Sequence, residues 1–414
     1  MRRYGPAVAF ARTAPLRREI EARVPERPFA VEFWDGTRLP PTDDGAGPTF
    51  YVRSPRAAAR VLLAPGQLGL GRAYVSGDLE VNDMDAVIEL LDAWQPPPLE
   101  SADKARLLLG AVRAAGIARP PRRPAAELRP SGARHSKERD AEAVRHHYDV
   151  SNEFFSLFLD DSMTYSCAFF AEGAETLEQA QEEKLETVAR KLALKEGERV
   201  LDVGCGWGSF PLWAATRHGA NVLGITLSPP QAERARQRAE AAGVADRVEI
   251  RVMDYRDLAA GGERFDAIAS IGMVEHVGEE QIDVYARTLA SLLDSGGRLL
   301  NHGIARLRHT DPEAGPFSER YVFPDAEPLH LSRVLLALER AGFVTRHVSE
   351  HGADYAETLR HWARRLDENL DDAVRLAGPE RVRVWRLYLR MARRGFESGF
   401  LSIYQARCSL AGRV

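Results

Sequence analysis

The chain has 414 residues, of which 44% are hydrophobic and 28% charged, and its formal net charge is −4. This length predicts two or three domains, and the small net charge excludes a general attraction to nucleic acid or anionic lipid. No run of residues approaches the roughly 18 apolar residues of a membrane-spanning helix. The start, MRRYGPAVAF, does not resemble a signal peptide. We therefore expect a cytoplasmic protein.

The three cysteines, Cys167, Cys205 and Cys408, form no CxxC pair and are odd in number. This pattern argues against a disulfide scaffold or a structural zinc site, and it fits a reducing compartment. We therefore predict no bound metal. Cys205 lies within a glycine-rich loop, where a small packing residue is expected.

The first part of the chain predicts a small domain with both strands and helices, at residues 1–118. FAVEFWDGTRLP alternates like a strand that enters a turn at Asp35-Gly36, and TFYVRS predicts another strand. Residues 83–94 have the apolar spacing of a helix. Residues 119–139, which are rich in Pro, Arg and Ala, predict a linker. Residues 140–414 then form the main domain.

After the linker, short β-rich runs alternate with helical segments. The runs are ERVLDVG, NVLGIT, VEIRVMD, FDAIASIG and GRLLNHGI. Thr176 with Gln179, and Ser228 with Gln231, fit capping boxes at two helix starts. A late helix from Pro379 to Gly395 precedes an apolar strand, GFLSIYQ. The alternation is typical of βαβ units and predicts a Rossmann-like α/β fold with a mostly parallel sheet, beside a smaller α+β N-terminal domain.

The first strand of the main domain runs into a glycine loop, LDVGCGWGSF. Gly204, Gly206 and Gly208 permit a sharp turn and a close approach to a ligand. The preceding Asp202 suits an ammonium group better than a pyrophosphate, which its charge would repel. A dinucleotide site also expects a carboxylate at the end of the second strand, where this chain has Thr226 and no acidic residue nearby. S-adenosylmethionine (SAM) is therefore the predicted cofactor, and a plain tight turn is the alternative.

Asp254 and Tyr255 follow the third strand, at the edge where doubly wound sheets bind ligands. Asp254 is a candidate acceptor for the adenine amino group, and Tyr255 is a candidate stacking partner for the adenine ring. The alternatives are a helix cap for Asp254 and a core aromatic for Tyr255.

Six segments carry a family resemblance: HHYDVSNEFFSLFLDDSMTYSCAFF, LDVGCGWGSF, SIGMVEHVG, NHGI, YVFP and HGADYAETLRHW. Together they resemble the cyclopropane fatty acid synthases and the related mycolic acid cyclopropane synthases, from about His146 to the C-terminus. The resemblance implies a class I SAM methyltransferase fold and a cis double bond in a phospholipid acyl chain as the substrate. It also implies bicarbonate as the proton acceptor, and a cyclopropane or methylene-branched fatty acid as the product.

The resemblance further implies site residues. The positions that match SAM contacts are Tyr165, Ser166, Gly204, Gly206, Thr226, Leu227, Gln231 and Ile271. The positions that match bicarbonate contacts are Cys167, Glu275, His302, the backbone of Ile304, and Tyr355.

An alkene is a weak nucleophile, so such an enzyme must align the double bond with the sulfonium methyl in a dry pocket. The carbocation that results needs electron-rich neighbours and a base for the leaving proton. We expect Glu275 to orient the ion by sharing a proton with it, and His302 and Tyr355 to donate hydrogen bonds. The alternatives are a helix-start residue for Glu275, a core histidine for His302 and a packing residue for Tyr355.

Cys167 has no neighbour in the sequence that would activate a thiolate, and it is followed by the apolar Phe169 and Phe170. We expect a neutral thiol that lines the ion pocket, rather than a nucleophile or a metal ligand.

Residues 102–123, ADKARLLLGAVRAAGIARPPRR, alternate apolar and basic positions. They predict contact with an anionic bilayer, and hence peripheral association with the inner face of the membrane. The alternative is a packed helix followed by a solvated linker. SERYVFPDAEPLHLS predicts a lid over the acyl site. Other expected partners are a second copy of the chain and, for a methylene product, a downstream reductase.

Departures from the family pattern leave the product open. After YVFP, cyclopropane-forming relatives usually continue with Gly and Leu-Pro-Ser, whereas this chain continues with Asp325 and AEPLH. The N-terminal WDGTRLP also differs from the better-known members. Relatives divert the same cation to methyl-branched, methylene or hydroxylated chains. The competing functions are a SAM methyltransferase for a soluble N or O nucleophile and a SAM-binding protein without catalysis.

Overall fold

The computed structural model describes residues 13–43, 45, 47–95, 97–98, 100–115, 121–128, 134–137, 139–140, 151–170, 173–308 and 315–411. The chain divides into two compact units, Met1–Glu127 with Gly378–Met391, and Leu128–Ala377 with Ala392–Val414. The HHYDV start of the family-like segment, at residues 146–150, lies outside the described residues. The predicted boundaries after residues 118 and 139 differ from this division. No sequence signal had separated residues 378–391 from the predicted main domain.

The first unit contains a four-stranded sheet in the order β2-β1-β3-β4. The strands are β1 (Ala30–Glu32), β2 (Arg38–Leu39), β3 (Thr49–Val52) and β4 (Leu79–Val81). The helices of its N-terminal part are α1 (Ala14–Arg23), α2 (Arg56–Leu63), α3 (Gln67–Val75), α4 (Met84–Ala93) and α5 (Ser101–Ala115). β1 and β2 pair antiparallel across the predicted turn, where Gly36 has a φ of 78°. The predicted strands and the helix at residues 83–94 are thus confirmed.

The second unit is built on a seven-stranded sheet in the order β10-β11-β9-β8-β5-β6-β7. The strands are β5 (Arg199–Val203), β6 (Asn221–Thr226), β7 (Val248–Val252), β8 (Phe265–Ile271), β9 (Leu293–Arg306), β10 (Phe343–Glu350) and β11 (Leu401–Leu410). β5 to β9 are parallel, and β11 is antiparallel to both of its neighbours. The chain moves outward from β5 to β7 and then returns to β8 on the other side of β5. The carboxyl ends of β5 and β8 are therefore the topological switch point, where such sheets bind ligands.

Helices cover both faces of this sheet. The helices in this part of the chain are α6 (Asn152–Ser156), α7 (Leu177–Leu192), α8 (Ser209–His218), α9 (Pro229–Ala241), α10 (Tyr255–Leu258), α11 (Ile282–Leu292), α12 (Pro316–Tyr321), α13 (Leu331–Arg340), α14 (Gly352–Glu368), α15 (Leu370–Ala377) and α16 (Pro379–Glu397). The first half of α16 belongs to the first unit. Two short 3₁₀ helices, Ala259–Gly261 and Val274–His276, flank β8.

The two predicted capping boxes have different outcomes. At the start of α7, Thr176 and Gln179 satisfy each other's backbone N–H groups, so this box is confirmed. At the start of α9, Ser228 accepts from the backbone N–H of Gln231, but the Gln231 side chain accepts from Thr226 instead of the cap. The second prediction is therefore half wrong, because a strand-end hydroxyl holds the glutamine side chain.

The described part of the predicted linker is partly packed, while Arg122, Arg123 and Arg134 within it are exposed. Ala126, Glu127 and His135 are each 8% exposed. Glu127 forms an ion pair with Arg72 of the same unit, at 2.5 Å between oxygen and nitrogen. In α5, Ala114 packs in the core of the first unit, which agrees with the packed-helix alternative for this stretch. No helix within the described ranges is long and apolar enough to cross a membrane.

Candidate active site

A cavity in the second unit opens at the carboxyl ends of β5, β6 and β8. The structure brings all eleven predicted cofactor residues together in its lining: Tyr165, Ser166, Asp202, Gly204, Gly206, Thr226, Leu227, Gln231, Asp254, Tyr255 and Ile271. These residues come from the loop before α7, from four strand ends and from the start of α9. The cavity therefore lies at the switch point of the sheet, where the βαβ pattern predicts a ligand.

The glycine loop forms one wall of the cavity. Gly204 and Gly206 have φ values of 84° and 53°, which side chains rarely adopt. A Cβ on Gly206 would meet no atom within 4 Å, so its absence leaves open space for a ligand. The backbone N–H groups of Gly204 and Cys205 both donate to the carbonyl of Ile225, at 3.0 and 2.9 Å, and thus fix the loop to β6. Cys205 packs in the core behind the loop, as expected.

Two buried groups of opposite charge line the same cavity. Asp202 is 3% exposed, and its Oδ1 has no hydrogen-bond partner among the described residues. Burial raises the pKa of Asp202 to about 7, although Lys184 opposes the shift. Lys184 is 1% exposed, and its Nζ donates to the Ser166 hydroxyl at 3.0 Å. Burial lowers the pKa of Lys184 to about 8, against the attraction of Asp160, Cys167 and Asp202.

Sequence reasoning missed Lys184. A signal was present, because Gln181 and Lys184 interrupt the apolar stripe of α7 that Leu177, Leu185 and Val188 form. A charged residue on the buried face of a helix requires a partner. Here the partners are Ser166 and the nearby carboxylates, which the sequence alone does not bring together.

At the start of α10, the structure shows the alternative that was predicted for Asp254. Its carboxylate caps the helix by accepting from the backbone of Arg256, and the Arg256 guanidinium binds it at 2.6 and 2.8 Å. Burial would raise the pKa of Asp254, but these hydrogen bonds lower it below its ordinary value. Tyr255 packs edge-on against Tyr285 in the core. Both residues nevertheless line the cavity, so contact with a ligand stays a prediction.

The five predicted ion-binding residues lie apart from this lining. Glu275 sits in the 3₁₀ helix after β8, where it is 7% exposed, and its Oε1 accepts from the backbone N–H of Ile304 at 2.7 Å. Its Oε2 is buried without a partner among the described residues. Burial raises the pKa of Glu275 to about 7, although backbone hydrogen bonds oppose the shift. A helix-start role alone would not leave this oxygen buried and unpaired.

His302 on β9 is fully buried. Its Nδ1 is 3.0 Å from the amide nitrogen of Gln405, and its Nε2 has no partner in the described part of the chain. Burial lowers the pKa of His302 well below its ordinary value, and Lys184, His351 and Lys191 act in the same direction. The ring is therefore neutral at physiological pH.

Cys167 is fully buried beside α14. Its thiol is 3.7 Å from the carbonyl oxygen of His351. Burial and nearby Asp354 raise the pKa of this thiol well above its ordinary value. The geometry agrees with a neutral thiol. His302 lies close by, because Phe169 stacks on His351 and also faces the His302 ring, with centroids 3.9 and 6.1 Å apart.

Tyr355 lies one turn into α14, within a group of aromatic side chains. Its ring centroid is 4.7 Å from that of Phe396 and 6.1 Å from that of Trp362. Trp362 in turn stacks on Tyr165 of the cavity lining, at 5.1 Å. The packing alternative for Tyr355 therefore has direct support, and a contact with an ion stays a prediction.

The cavity and the ion-binding candidates are adjacent along β8. Ile271 lines the cavity and pairs in register with His302 of β9. The next residue, Gly272, also lines the cavity and donates its N–H to the His302 carbonyl at 2.9 Å. Glu275 follows three residues later. The backbone of His302 thus adjoins the cavity wall, and Glu275 follows that wall along the chain.

The segment after YVFP, where the sequence departs from the family pattern, begins at Asp325. This residue has a φ of 63°, a conformation that glycine adopts freely and aspartate tolerates. Its buried carboxylate accepts from Arg139 at 2.6 Å and from Arg134 at 3.3 Å. Pro324 and Asp325 also line the cavity. Ion pairs therefore hold Asp325 in a turn conformation that glycine adopts freely.

Comparisons with known proteins agree with this geometry. The sequence profile of the family described as mycolic acid cyclopropane synthetase matches residues 135–406. The chain is 41% identical over 397 residues to a probable fatty acid methyltransferase of Mycobacterium tuberculosis, covering 93% of this chain and 92% of the relative. It is 34% identical over 325 residues to the cyclopropane-fatty-acyl-phospholipid synthase of Escherichia coli K12, with 78% of each chain covered.

Among solved structures, the mycolic acid cyclopropane synthase CmaA1 complexed with SAH and CTAB aligns with a TM-score of 0.62 and 31% identity. The alignment covers 65% of this chain and 98% of that one. The α/β fold and the family resemblance predicted from the sequence are therefore confirmed. The chain belongs to the mycolic acid cyclopropane synthetase family, with its class I fold, and is a SAM-dependent methyltransferase in a family that modifies lipid acyl chains.

Proposed function

We propose that this chain transfers a methyl carbon from SAM to the cis double bond of an unsaturated phospholipid acyl chain, through a carbocation. Bicarbonate assists removal of the proton, and the product is a cyclopropane or methylene-branched acyl chain. The observation that carries the proposal is the pair of buried atoms Glu275 Oε2 and His302 Nε2, which lack partners among the described residues. Buried polar atoms of this kind are rare unless a ligand or water satisfies them.

The cavity residues fit SAM. The unpaired Oδ1 of Asp202 suits the ammonium of its amino-acid end, and Lys184 with Ser166 suits the carboxylate. The open space at Gly206 permits close approach of the ligand to the backbone. When bound, SAM supplies an electrophilic methyl group on a positively charged sulfur.

The unpaired atoms beyond the cavity fit a small, partly protonated oxyanion. The neutral His302 ring can donate from Nε2 to one oxygen, and the Glu275 carboxylate can accept from a hydroxyl. Bicarbonate offers both kinds of atom, and when bound it would supply a base for the leaving proton. By the family resemblance, Cys167, Tyr355 and the backbone of Ile304 would complete this pocket.

The protein's own contribution is alignment, exclusion of water and charge. A new carbon–carbon bond forms to one alkene carbon while the methyl–sulfur bond breaks and its electron pair stays on sulfur. The positive charge then lies on the other alkene carbon. The rings of Tyr165, Trp362, Tyr355 and Phe396 offer electron-rich faces nearby without a strong nucleophile. The negative charge of ionised Glu275 would stabilise this carbocation electrostatically.

Proton loss decides the product. Loss of a proton from the new methyl group, with closure of the ring, gives a cyclopropane. A hydride shift before that loss gives a methylene branch, which a separate reductase would convert to a methyl branch. The names of the relatives include both a fatty acid methyltransferase and a cyclopropane synthase, so these names alone do not decide the product.

To reach a phospholipid substrate, the protein must bind to the membrane surface. α5 offers an exposed Leu109, which is 47% exposed, close to the exposed Arg106. We propose that this helix, with the arginines at residues 122 and 123, supports peripheral attachment to anionic bilayers. In a vesicle flotation assay, attachment should weaken as salt rises. Binding that ignores both salt and anionic lipid would contradict this part of the proposal.

The central test is incubation of the purified chain with ¹³C-methyl SAM and vesicles of dioleoyl phospholipid, followed by mass analysis and NMR of the acyl chains. We expect a gain of one labelled CH₂, and NMR will separate cyclopropane from methylene protons. Omission of bicarbonate from degassed buffer should lower the rate. Label in a water-soluble amine or alcohol, with unchanged acyl chains, would instead support the competing methyltransferase function.

A further inference from the structure

A row of side chains crosses the sheet at the level of His302. Ser349 of β10 pairs in register with Gln405 of β11, and Gln405 pairs with His302 of β9. His302 pairs in turn with Ile271, which lines the cavity. Cross-strand partners share one face of a sheet, and α7 brings Lys191 to this face.

Lys191 meets two members of this row. Its Nζ is 2.7 Å from Oε1 of Gln405 and 2.6 Å from the hydroxyl of Ser349. A lysine ammonium has three N–H donors and no acceptor. The amide atom that faces it must therefore be the oxygen, which directs the amide nitrogen of Gln405 to the other side, 3.0 Å from Nδ1 of His302.

The orientation of the Gln405 amide determines which tautomer His302 adopts. An amide NH₂ can only donate, so Nδ1 of His302 must carry the lone pair. The proton of the neutral ring then lies on Nε2, the atom that is buried without a partner among the described residues. Both Gln405 and His302 are 0% exposed, so no solvent competes for these contacts.

We infer that Lys191 and Gln405 are positioning residues which hold His302 in the tautomer with its proton on Nε2. His302 thereby presents a donor to the reaction site. The inference rests on the proposed function for the role of His302 as a donor to an anion. The tautomer itself does not depend on that role. Each contact determines the next one. Lys191 orients the amide of Gln405, and this amide determines which ring nitrogen of His302 carries the proton.

Ser349 explains how the ammonium is held in place. Its hydroxyl accepts from Lys191 and is 2.9 Å from Nε2 of His351. The other nitrogen of His351 is 3.1 Å from the Asp354 carboxylate. Lys191 therefore donates to two oxygens at once, and the contact with Ser349 holds its ammonium against Gln405.

The direct test is ¹⁵N NMR of the full-length protein labelled at histidine, with the His302 signals assigned by comparison with His302→Gln. In the wild type at pH 7 we expect a neutral ring with its proton on Nε2. The isosteric Gln405→Glu variant presents only acceptors to Nδ1, so a proton should move to Nδ1. A wild-type ring with its proton on Nδ1 would overturn the inference, whatever the enzyme's activity.

Kinetics on the same variants give the functional readout. Gln405→Glu should lower kcat by about 100-fold, the scale of a lost proton-positioning contact, while the KM for SAM changes less than twofold. Lys191→Met should lower kcat by about tenfold and yield a mixture of tautomers. Lys195→Met is the matched control, because Lys195 is an exposed lysine just after the same helix and should behave as wild type.

The two readouts separate the possible failures. Correct tautomer shifts without any lipid methylation would contradict the proposed function and leave the positioning role intact. Wild-type kcat and an unchanged tautomer in Gln405→Glu would contradict the positioning role alone. Retained binding of S-adenosylhomocysteine (SAH) by each variant shows that it is folded.

Discussion

Lys184 and Ser166 form a buried hydrogen bond, with 3.0 Å between Nζ and Oγ, in the wall of the cofactor cavity. Asp202 lies in the same wall with one unpaired carboxylate oxygen. A buried ammonium and a buried carboxylate in one wall match the two charges at the amino-acid end of SAM. In the proposed assignment, this match favours SAM over a dinucleotide, whose pyrophosphate offers only negative charge to the wall.

The Lys184→Met variant should bind SAH about tenfold more weakly than wild type. The reason is the loss of one charge-assisted hydrogen bond, worth about 1.5–3 kcal/mol, partly offset by removal of a desolvated charge. Titration calorimetry measures the effect. 5′-Methylthioadenosine lacks the amino-acid end, so its affinity should be equal for variant and wild type. An equal loss for both ligands would contradict recognition of the amino-acid end, and Lys195→Met serves as the neutral control.

Glu275→Gln should lower kcat at least tenfold while SAH affinity stays within twofold of wild type. The amide keeps an acceptor for the backbone N–H of Ile304, but it removes the charge that would stabilise a carbocation. Single-turnover rates with oleoyl vesicles measure the effect. A wild-type rate would contradict the assignment of Glu275 to the reaction site.

The same pair of proteins yields a pH prediction. Burial raises the pKa of Glu275 to about 7, so the ionised form predominates above that pH and is lost below it. The ratio of the wild-type rate to the Glu275→Gln rate should therefore fall toward one as the pH drops from 8 to 6. Because both proteins share the titration of bicarbonate, the ratio isolates Glu275, and saturating SAM suppresses the titration of Asp202. A ratio that is constant over this range would show that the charge of Glu275 has no role.

Cys167→Ser should keep at least about a tenth of the wild-type kcat. The wild-type thiol is fully buried and its pKa is raised well above the ordinary value, so it is neutral and a poor nucleophile. A hydroxyl retains the ability to donate, as the thiol does toward the carbonyl of His351. A covalent mechanism would instead lose nearly all activity. Resistance of the native protein to thiol reagents, with full reactivity after denaturation, provides the control.

The parts of the site that depend on local sequence were predictable. The glycine loop and the strand ends at Asp202, Thr226 and Asp254 follow from strand periodicity and turn residues, which act over a few positions. All of them line one cavity. Parallel strands place their carboxyl ends at one edge, so the position along the strand is enough to bring such residues together.

The supporting residues were not predictable in this way. Lys191 and Gln405 are 214 positions apart, and their contact exists only because β11 inserts between β9 and β10. Asp325 depends similarly on Arg139, which is 186 positions away. In both cases a polar residue in an apolar or turn context signals that a partner exists. Which residue is the partner can be determined only from the fold.

Gly303, between His302 and Ile304 on β9, provides the last prediction. A Cβ at this position would lie 2.3 Å from Cγ1 of Val274, so in Gly303→Ala either the Val274 side chain must turn or the 3₁₀ helix that carries it and Glu275 must shift. Overpacking of this kind costs about 1–3 kcal/mol. The free energy of unfolding should fall by that amount, and kcat should fall with it because the Glu275–Ile304 contact is disturbed.

The double variant Gly303→Ala with Val274→Ala removes the clashing methyl and should recover much of the lost activity. Gly261→Ala, where a Cβ meets no atom within 4 Å, should be neutral in both measurements. If the double variant recovers stability but not kcat, the position of Glu275 does not control the reaction.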